Sequence, residues 1–375
     1  LTKARERERT EAIRHGVIAD PDKPRSLSEA ITPVGTCQDM CAEYERVQRV
    51  VQKDVWEEET DPTHSAFAST DKEPDEARMV KKFRRAAAGL EEQLPSDLRP
   101  PHILKRTCDY LFNEVVGNAP FLGQVHHFVW DRTRAVRNDF SIQQVTRPEE
   151  LSIAIDCYER IARFHIVSLH QLALPEKPYS KYDWQQEREQ LDRTLLSLMQ
   201  FYDDSHGRID LPNEPEFRAY CVIFQLQDPT PDLEDRVQTW PRRIIEDTRV
   251  HKALDLYMAA CNVIYSQGPL KPTAHHLIAR QDWQRFWTLV ASKQVSYLMA
   301  CVAEIYFNLV RRMVLSALFR TFRMNSNLAT PDWTIDILCD LLGFDDGDEV
   351  YTYCERFGFG FNEREDGEHY LDLTS

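Results

Sequence analysis

Apolar residues recur at spacings of three and four along most of the chain, a period typical of amphipathic helices. One such stripe begins near Asp39, and Thr36 precedes it at a position suited to cap a helix. We expect the apolar side of this helix to be buried; its members are Met40, Tyr44, Val47, Val51 and Val55. The pattern predicts a second helix from Asp75 to Gly89, with Pro74 near its start and Gly89 suited to end it. Residues 57–75 between these helices are acidic and lack a period, which predicts a surface loop.

The helical period continues through most of the remaining chain, with proline-containing breaks between several segments. The predicted helices span roughly residues 101–116, 121–138, 149–173, 181–206, 214–226, 236–267, 272–291 and 294–323. Residues 1–16 predict a charged helix, and the prolines that follow predict an extended connector.

The last 50 or so residues have a different pattern. Ile335–Phe344 and Glu349–Phe357 predict two short helices, and Gly358–Asn362 and Glu368–Leu373 predict two strands around a turn. With the basic stretch Arg311–Arg323 as a first helix, the order is helix, helix, helix, hairpin, which is the order of a winged helix. We therefore predict an all-α dominated fold capped by a small α+β winged helix. The predicted domains are 1–35, an N-terminal helix and connector; 36–310, a helical domain; and 311–375, the winged helix.

Charge limits the functions open to this chain. Its 375 residues carry a formal net charge of -15, so bulk electrostatic attraction to nucleic acid is excluded. Binding to RNA or DNA would require a local basic patch or a partner that completes the surface. No stretch of 18 apolar residues occurs, so we expect no membrane span. The chain does not begin with Met, and we expect it to be part of a longer protein.

The sequence contains no motif that predicts an enzyme, a metal site or a bound cofactor. It lacks the glycine-rich loops that hold phosphates and the G-x-S-x-G turn of esterases. Cys37 and Cys41 lie four apart on a predicted helix, but no second ligand pair follows them. The nine cysteines are scattered, which favours buried thiols in a reducing compartment. For the adjacent pair His126-His127 we expect surface or capping roles.

Two basic clusters are candidates for phosphate contact. The first includes Lys81 and Lys82 and is otherwise interpreted as a solvated helix face. The second borders the predicted winged helix, where we expect contact with a nucleic-acid backbone; it comprises Arg311, Arg312, Arg320 and Arg323. The acidic stretch from Asp340 to Glu349 argues against a recognition helix that enters a groove.

The run from Phe128 to Phe140 combines arginine, aspartate and aromatic residues. If the chain were an enzyme, Asp131 would be the candidate catalytic residue in this run. We favour a structural role, because Asp131 and Arg134 have the helical spacing of paired neighbours, and planar guanidinium groups can tie one helix to the next. The residues given this structural role are Trp130, Asp131, Arg132, Arg134 and Asp139.

Several blocks of the sequence, in order, resemble the SAC/GANP family. They are Gly35–Arg46, Val80–Gly89, Leu98–Pro101 with Thr107–Leu111, Phe128–Arg134 through Asn138–Gln143, Arg163–Ile166, and Asn213–Tyr220. Two small departures occur, since Ala42 stands where the family usually has Pro and Ala86 where it usually has Ser.

The resemblance implies a PCI-type architecture, a tetratricopeptide-like helical solenoid capped by a winged helix. It also implies a non-catalytic scaffold of the nuclear messenger-RNA export complex at nuclear pores. The partners implied are a second PCI-domain protein and a small acidic disordered subunit, which together build a nucleic-acid-binding platform. Contacts with nuclear-pore and export factors would use regions outside this chain.

The C-terminal module is where we expect the second PCI-domain protein to dock. The candidate residues are Trp333, Ile337, Leu341, Leu342 and Phe344, although the module's own core also needs apolar side chains. One alternative is a paralogous scaffold in transcription elongation or splicing with a different partner. Another is a PCI scaffold without nucleic-acid binding, against which the Trp130–Gln143 block argues.

Overall fold

In the computed structural model the chain forms two compact units, Leu1–Leu211 and Pro212–Ser375. The structure describes residues 1–20, 23, 26, 31–61, 73–85, 93–173, 181–226, 232–264, 277–323 and 331–373. Side chains are not described at residues 232, 234, 277–282 and 320–323. The division between the units does not coincide with the predicted boundaries at 35/36 and 310/311, which stay predictions.

Unit 1 is helical. Its helices are α1 (Thr2–Arg14), α2 (Glu43–Val51), α3 (Pro101–Asp109), a π-helix (Tyr110–Val116), α4 (Leu122–Gln143), α5 (Pro148–Gln171) and α6 (Trp184–Ser205). Short 3-10 turns lie at Glu57–Glu59 and Pro95–Asp97. Helix α5 packs against α3, α4 and α6. An apolar cluster joins the π-helix, α4 and α5 to residue 80; its buried members are Val80, Leu111, Val115, Val125, Phe128, Val129 and Phe164.

Helix α2 differs from its prediction in both start and orientation. It begins at Glu43 with Ala42 in the N-cap position, so Thr36 is not the cap and Cys37 and Cys41 precede the helix. The predicted buried face is wrong, because Val47 and Val51 are 38% and 78% exposed. The buried side chains of α2 are instead Glu45 and Arg49, for which the ionic network described below provides the reason.

The helix predicted at Asp75–Gly89 is also wrong within the described part of that range. Residues 76–78 form a turn and residues 79–85 have no regular secondary structure, while residues 86–89 lie outside the described residues. The loop predicted at 57–75 needs a similar correction, since Glu57–Glu59 forms a 3-10 turn and the Glu59 side chain is fully buried. Residues 62–72 of that range are not among the described ones.

Unit 2 begins with a helical region. Its helices are α7 (Glu214–Phe224), α8 (Asp232–Thr239), α9 (Arg242–Ile245), α10 (Thr248–Ile264), α11 (Leu277–Val290) and α12 (Tyr297–Glu304). Helix α10 packs against both α7 and α11. The single helix predicted at 236–267 is divided, because Pro241 interrupts the backbone hydrogen bonding after Trp240. The helix predicted at 294–323 is likewise interrupted after Glu304.

The C-terminal module follows as α13 (Phe307–Arg323), α14 (Ile335–Leu342), α15 (Gly347–Glu355), β1 (Gly360–Glu363) and β2 (His369–Asp372). The strands pair antiparallel with Gly360 opposite Asp372 and Glu363 opposite His369. This is the predicted order of three helices and a hairpin. The predicted fold class, helix-dominated with a small α+β end, is confirmed. Among the described helices, none is both long and apolar enough to cross a membrane.

Candidate functional site

The segment Met79–Phe83, which has no regular secondary structure, is held in place by carboxylates from other elements. Glu59 Oε1 accepts a hydrogen bond from the backbone nitrogen of Val80 at 3.1 Å, and Glu45 Oε1 accepts one from Lys82 at 2.8 Å. Asp131 Oδ2 accepts a third from Phe83 at 3.1 Å. A backbone outside helices and sheets does not satisfy its own amide donors, so these carboxylates accept the hydrogen bonds that a helix would have made internally. These acceptors from distant parts of the sequence explain why the helical pattern of the segment does not produce a helix.

The same carboxylates are paired with buried guanidinium groups. Glu59 Oε1 accepts hydrogen bonds from Arg49 Nη1 at 3.0 Å and Arg132 Nη2 at 3.2 Å, and its other oxygen contacts Arg49 more closely. Arg132 also pairs with Asp131, and both Arg49 and Arg132 are almost fully buried. Charges removed from water in this way persist only when paired and hydrogen-bonded.

A second part of the cluster surrounds Asp139, whose side chain is fully buried on α4. Lys81 Nζ donates to Asp139 Oδ1 at 2.6 Å and Arg99 Nε donates to Asp139 Oδ2 at 2.8 Å. Lys81 Nζ also donates to Gln93 Oε1 and to the Asp97 carbonyl oxygen, at 2.8 and 2.7 Å. We call the whole set the signature network; it comprises Arg49, Glu59, Lys81, Arg99, Asp131, Arg132 and Asp139.

These contacts correct the prediction that Lys81 meets a nucleic-acid backbone. Its side chain is 6% exposed and its ammonium donates to three oxygen atoms inside unit 1, so no donor is left for a phosphate. Lys82 is different, because it is half-buried and pairs with Asp54 at 2.8 Å. Its part in nucleic-acid binding stays a prediction.

Gly35, the first residue of the first signature block, lies against the network. Its backbone nitrogen donates to Gln143 Oε1 at 3.0 Å, and Gln143 Nε2 donates to the carbonyl oxygens of Arg99 and Asp139. A Cβ at position 35 would lie 2.6 Å from the Leu98 carbonyl oxygen and 2.8 Å from Gln143 Oε1. A side chain here would therefore require the backbone at Leu98 to shift, which favours glycine at this position.

The structural motif on α4 is positioned as a bracing element, although its pairing was predicted incorrectly. The predicted partner of Asp131 is Arg134. In the structure Asp131 instead pairs with Arg132 and accepts a hydrogen bond from the backbone nitrogen of Phe83. The Arg134 guanidinium lies between two rings, 3.9 Å from the centre of Phe83 and 4.5 Å from that of Trp130. The motif therefore joins α4 to the segment Met79–Phe83 and to the turn at Glu59.

Sequence reasoning missed a buried polar cluster between α4, α5 and α6. Glu187 Oε2 lies 2.9 Å from His126 Nε2, and Glu187 Oε1 lies 2.6 Å from His165 Nδ1. Burial opposes ionisation of Glu187, but His165 and His126 outweigh it and hold its pKa below the ordinary value. Burial also lowers the pKa of His165, against the effect of Glu187. The predicted surface role is wrong for His126, which is 5% exposed; only Glu187, far away in sequence, could have revealed it.

In the C-terminal module Arg311 has a structural use. Its Nε and Nη2 donate to the carbonyl oxygens of Leu342 and Gly343 at 2.8 and 2.5 Å, and its guanidinium lies 3.6 Å from the centre of the Phe344 ring. These carbonyls end α14, where a helix leaves acceptors without partners. Burial lowers the pKa of Arg311, although Glu349 opposes this. The prediction that Arg311 contacts nucleic acid is therefore corrected.

The structure does not contradict the predicted role of the other members of the basic cluster. Arg312 is exposed on α13 and keeps its predicted role as a proposal. The side chains of Arg320 and Arg323 lie outside the described residues, so their predicted role is untouched by the structure.

The five apolar candidates for partner binding separate into core and surface. Leu342 is fully buried and belongs to the module's core, which corrects its assignment. Phe344 packs against Tyr353 and Arg311. Ile337 is 43% exposed, while Trp333 and Leu341 are half-buried. Ile337 is thus the clearest surface candidate of the five.

No group of acidic, histidine or cysteine side chains arranged to hold a metal ion occurs within the part of the chain that the structure describes. All nine cysteines are free, and eight of them are buried. Burial raises the pKa of several of these thiols, Cys354 to about 12, which keeps them protonated and unreactive. Their environment is that of packed core residues.

Comparison with known proteins identifies the family of this chain. The sequence profile of the SAC3/GANP family matches residues 40–363. The chain belongs to the SAC3/GANP family. Over its full length it is 39% identical to SAC3 family protein 1 of Schizosaccharomyces pombe, covering 34% of that protein. Protein xmas of Drosophila melanogaster is 30% identical over 88% of the chain, and SAC3 family protein B of Arabidopsis thaliana 28% over 90%, with 15% and 18% of those proteins covered.

The chain thus spans about a third or less of the curated relatives it matches. As a member of this family it is a SAC3-type scaffold segment. Five of the seven members of the signature network lie within the blocks that carried the resemblance, namely Lys81, Arg99, Asp131, Arg132 and Asp139, while Arg49 and Glu59 lie outside them. The family signature thus coincides with a buried network that fixes the path of the chain.

Proposed function

We propose that this chain is the scaffold core of a nuclear messenger-RNA export complex. It pairs with a second PCI-domain protein and a small acidic subunit, and the three chains form a nucleic-acid-binding platform at nuclear pores. It performs no catalysis. Membership of the SAC3/GANP family supports the scaffold role, and the proposal adds the export function, the partners and the nuclear location.

The observation that carries the proposal is the C-terminal module with its partly exposed apolar residues. Ile337 on α14 is 43% exposed, and Trp333 and Leu341 nearby in sequence are half-buried. A docking site needs an apolar centre on a folded element, which this module offers. The charge of -15 is consistent with a composite platform, since a partner would contribute cations that this chain lacks in bulk.

The first experiment is co-expression of the chain with the second PCI-domain protein and the small acidic subunit, followed by size-exclusion chromatography. The matched pair of variants is Ile337→Glu and Leu196→Glu, both at exposed apolar positions, the second on α6 of unit 1. We expect a stable three-chain complex that Ile337→Glu dissociates and Leu196→Glu leaves intact. Failure of the wild-type chain to bind either partner would refute the assignment and favour the paralogous scaffold in transcription elongation or splicing.

The second experiment measures RNA binding by the assembled complex at two salt concentrations. Arg312→Glu is the informative variant, because Arg312 is exposed whereas Arg311 is used inside the module. Arg242→Glu, at a highly exposed arginine on α9, is its control. Loss of affinity and of salt dependence for Arg312→Glu alone supports the platform. A complex that assembles and binds no RNA would leave a PCI scaffold without a nucleic-acid role.

A further inference from the structure

Arg134 on α4 packs against two aromatic rings, and its charge is not used in an ion pair within the described residues. The guanidinium lies between the rings of Phe83 and Trp130, at 3.9 and 4.5 Å from their centres. Within the described residues it has no ion-pair or hydrogen-bond acceptor, in contrast to Arg49, Arg99 and Arg132. The side chain is half-buried, and its contacts with two rings limit the conformations that it can adopt.

Two further cations lie close to Arg134. Burial lowers the pKa of Arg134; Asp131 opposes this, and the charges of Arg85 and Arg193 add to it. The side chains of Arg85 and Arg193 are exposed; Arg85 follows Phe83 by two residues and Arg193 lies on α6. Like charges placed together repel one another, and an anion bound between them would relieve that repulsion. A positive surface of this kind stands out on a chain whose net charge is -15.

A row of stacked aromatic rings begins at Trp130. The ring centres of Trp130 and His127 are 6.2 Å apart, and those of His127 and Trp56 are 5.0 Å apart, with interplanar angles of 16° and 9°. Lys82 and Lys181 lie 5.5 and 5.6 Å from the centre of the Trp56 ring. All three rings belong to half-buried side chains.

We infer that the Arg134 surface, defined as Phe83, Arg85, Trp130, Arg134 and Arg193, binds the backbone of single-stranded RNA. Cations placed among aromatic rings are the combination that single-stranded nucleic acid recognises, because phosphates pair with the cations and bases stack on the rings. The inference rests on the proposed function only for the class of ligand. It adds a contact in unit 1 that is separate from the C-terminal module.

The test uses the 375-residue chain and a short fluorescent oligouridine, titrated by anisotropy at several salt concentrations. Arg134→Gln should bind about tenfold more weakly, as expected for loss of one stacked cation. The slope of log affinity against log salt should fall by about 0.7 for each phosphate contact removed. Arg134→Lys should keep the slope but stay weaker than wild type, because lysine cannot stack between two rings. Arg147→Gln, an exposed arginine at the start of α5, is the charge-matched control.

A loss of binding by Arg134→Gln could also follow from disturbed packing of Phe83 and Trp130. The double variant Arg85→Gln/Arg193→Gln avoids this problem, since both side chains are exposed. It should reduce affinity and slope without lowering the melting temperature. Ultraviolet cross-linking followed by peptide mapping should place uridine on Trp130 or Phe83.

Three outcomes would overturn the inference. The first is unchanged RNA affinity and slope in both Arg134→Gln and Arg85→Gln/Arg193→Gln. The second is a set of cross-links confined to unit 2, with binding that depends on Arg312; this would retain the proposed platform and remove the Arg134 surface from it. The third is binding of a polyglutamate peptide, dependent on Arg134, by a chain that does not bind oligouridine; this would make the surface a docking site for an acidic protein.

Discussion

Lys81 Nζ lies 2.6 Å from Asp139 Oδ1, at a point where the lysine is 6% exposed and the aspartate fully buried. The contact joins the segment after the turn at residues 76–78 to the C-terminal part of α4. Asp139 also pairs with Arg99, so one carboxylate balances two cations from two different stretches of chain. Lys81 and Arg99 are 58 and 40 residues away from Asp139 in the sequence, so this carboxylate links distant segments of unit 1.

The first prediction concerns the ion pairs of Asp139 with Lys81 and Arg99. Asp139→Asn should lower the free energy of unfolding of unit 1 by about 3 to 5 kcal/mol, because it leaves two buried cations without an ionised partner. Lys81→Met should have a smaller effect, since Asp139 retains Arg99 at 2.8 Å. Urea denaturation followed by circular dichroism measures both changes.

The matched control for Lys81→Met is Lys105→Met. Lys105 pairs with Asp109 at 3.3 Å, but both side chains are almost half exposed. A solvent-exposed pair of this kind contributes less than about 1 kcal/mol. If the two lysine variants lost equal stability, the buried pair would have no special structural role.

The second prediction concerns Gly35. Gly35→Ala places a Cβ 2.6 Å from the Leu98 carbonyl oxygen and displaces the Gln143 amide that accepts from residue 35. Relief of such an overlap by movement of the backbone costs about 1 to 3 kcal/mol. The melting temperature of the variant should fall accordingly.

Gly360→Ala provides the comparison for Gly35→Ala, because nothing lies within 4 Å of a Cβ at residue 360. It should melt like the wild-type chain. A Gly35→Ala variant with an unchanged melting temperature would show that the first signature block has room for a side chain.

The sequence predicts the elements of this chain better than it predicts its buried charges. The order of helices and strands in the C-terminal module follows from local periodicity and turn residues, which act within a few positions. The orientation of α2 does not, because Glu45 and Arg49 are buried only in the presence of Glu59 and the backbone at residue 82. Those partners come from separate segments, and charged residues in a sequence are normally assigned to solvent.

The same limit applies to the candidate sites. Arg311 looked like a surface cation because a sequence does not show that the end of α14 would meet its guanidinium. Phe83 and Arg85 lie in the predicted basic helix face, and Trp130 and Arg134 in the predicted structural motif, whereas Arg193 belongs to neither. Only the non-helical path of residues 79–85 brings Phe83 and Arg85 next to α4.

The third prediction concerns pH. The pKa of His165 is lowered by burial, so the unfolded chain, with an ordinary histidine pKa of about 6.5, binds the proton more readily. The stabilisation due to neutral His165 is present above that pH and is lost as the pH falls through it towards the lower folded value. The lowered pKa of Glu187 adds a second loss at still lower pH.

Melting temperatures of the wild type and His165→Asn between about pH 7 and 5 separate the contribution of His165 from that of His127, whose pKa burial also lowers. His165→Asn should be less stable throughout but lose less stability on acidification than the wild-type chain. His102→Gln, at an exposed position on α3, should leave the pH profile unchanged. Parallel profiles for the wild type and His165→Asn would contradict the prediction.

The fourth prediction concerns the end of α14. Three carbonyl oxygens there have side-chain donors: Leu341 accepts from Trp287 Nε1 at 3.0 Å, and Leu342 and Gly343 accept from Arg311. Lysine cannot reproduce two directed donors and a flat contact with Phe344, so Arg311→Lys should weaken this end of the helix despite its retained charge. A local loss of about 1 to 2 kcal/mol corresponds to roughly tenfold faster amide exchange in α14.

Hydrogen exchange with peptide-level mass spectrometry measures this effect, and Arg312→Lys is the control because that side chain is exposed on the same helix. Gly343→Ala should produce the same local opening by a different route. Its φ of +63° disfavours an L side chain, and a Cβ there would lie 2.6 Å from the Trp287 ring. Protection of residues 335–342 that is equal in wild type and Arg311→Lys would mean that Arg311 is free for another role, and would restore it to the candidates for nucleic-acid contact.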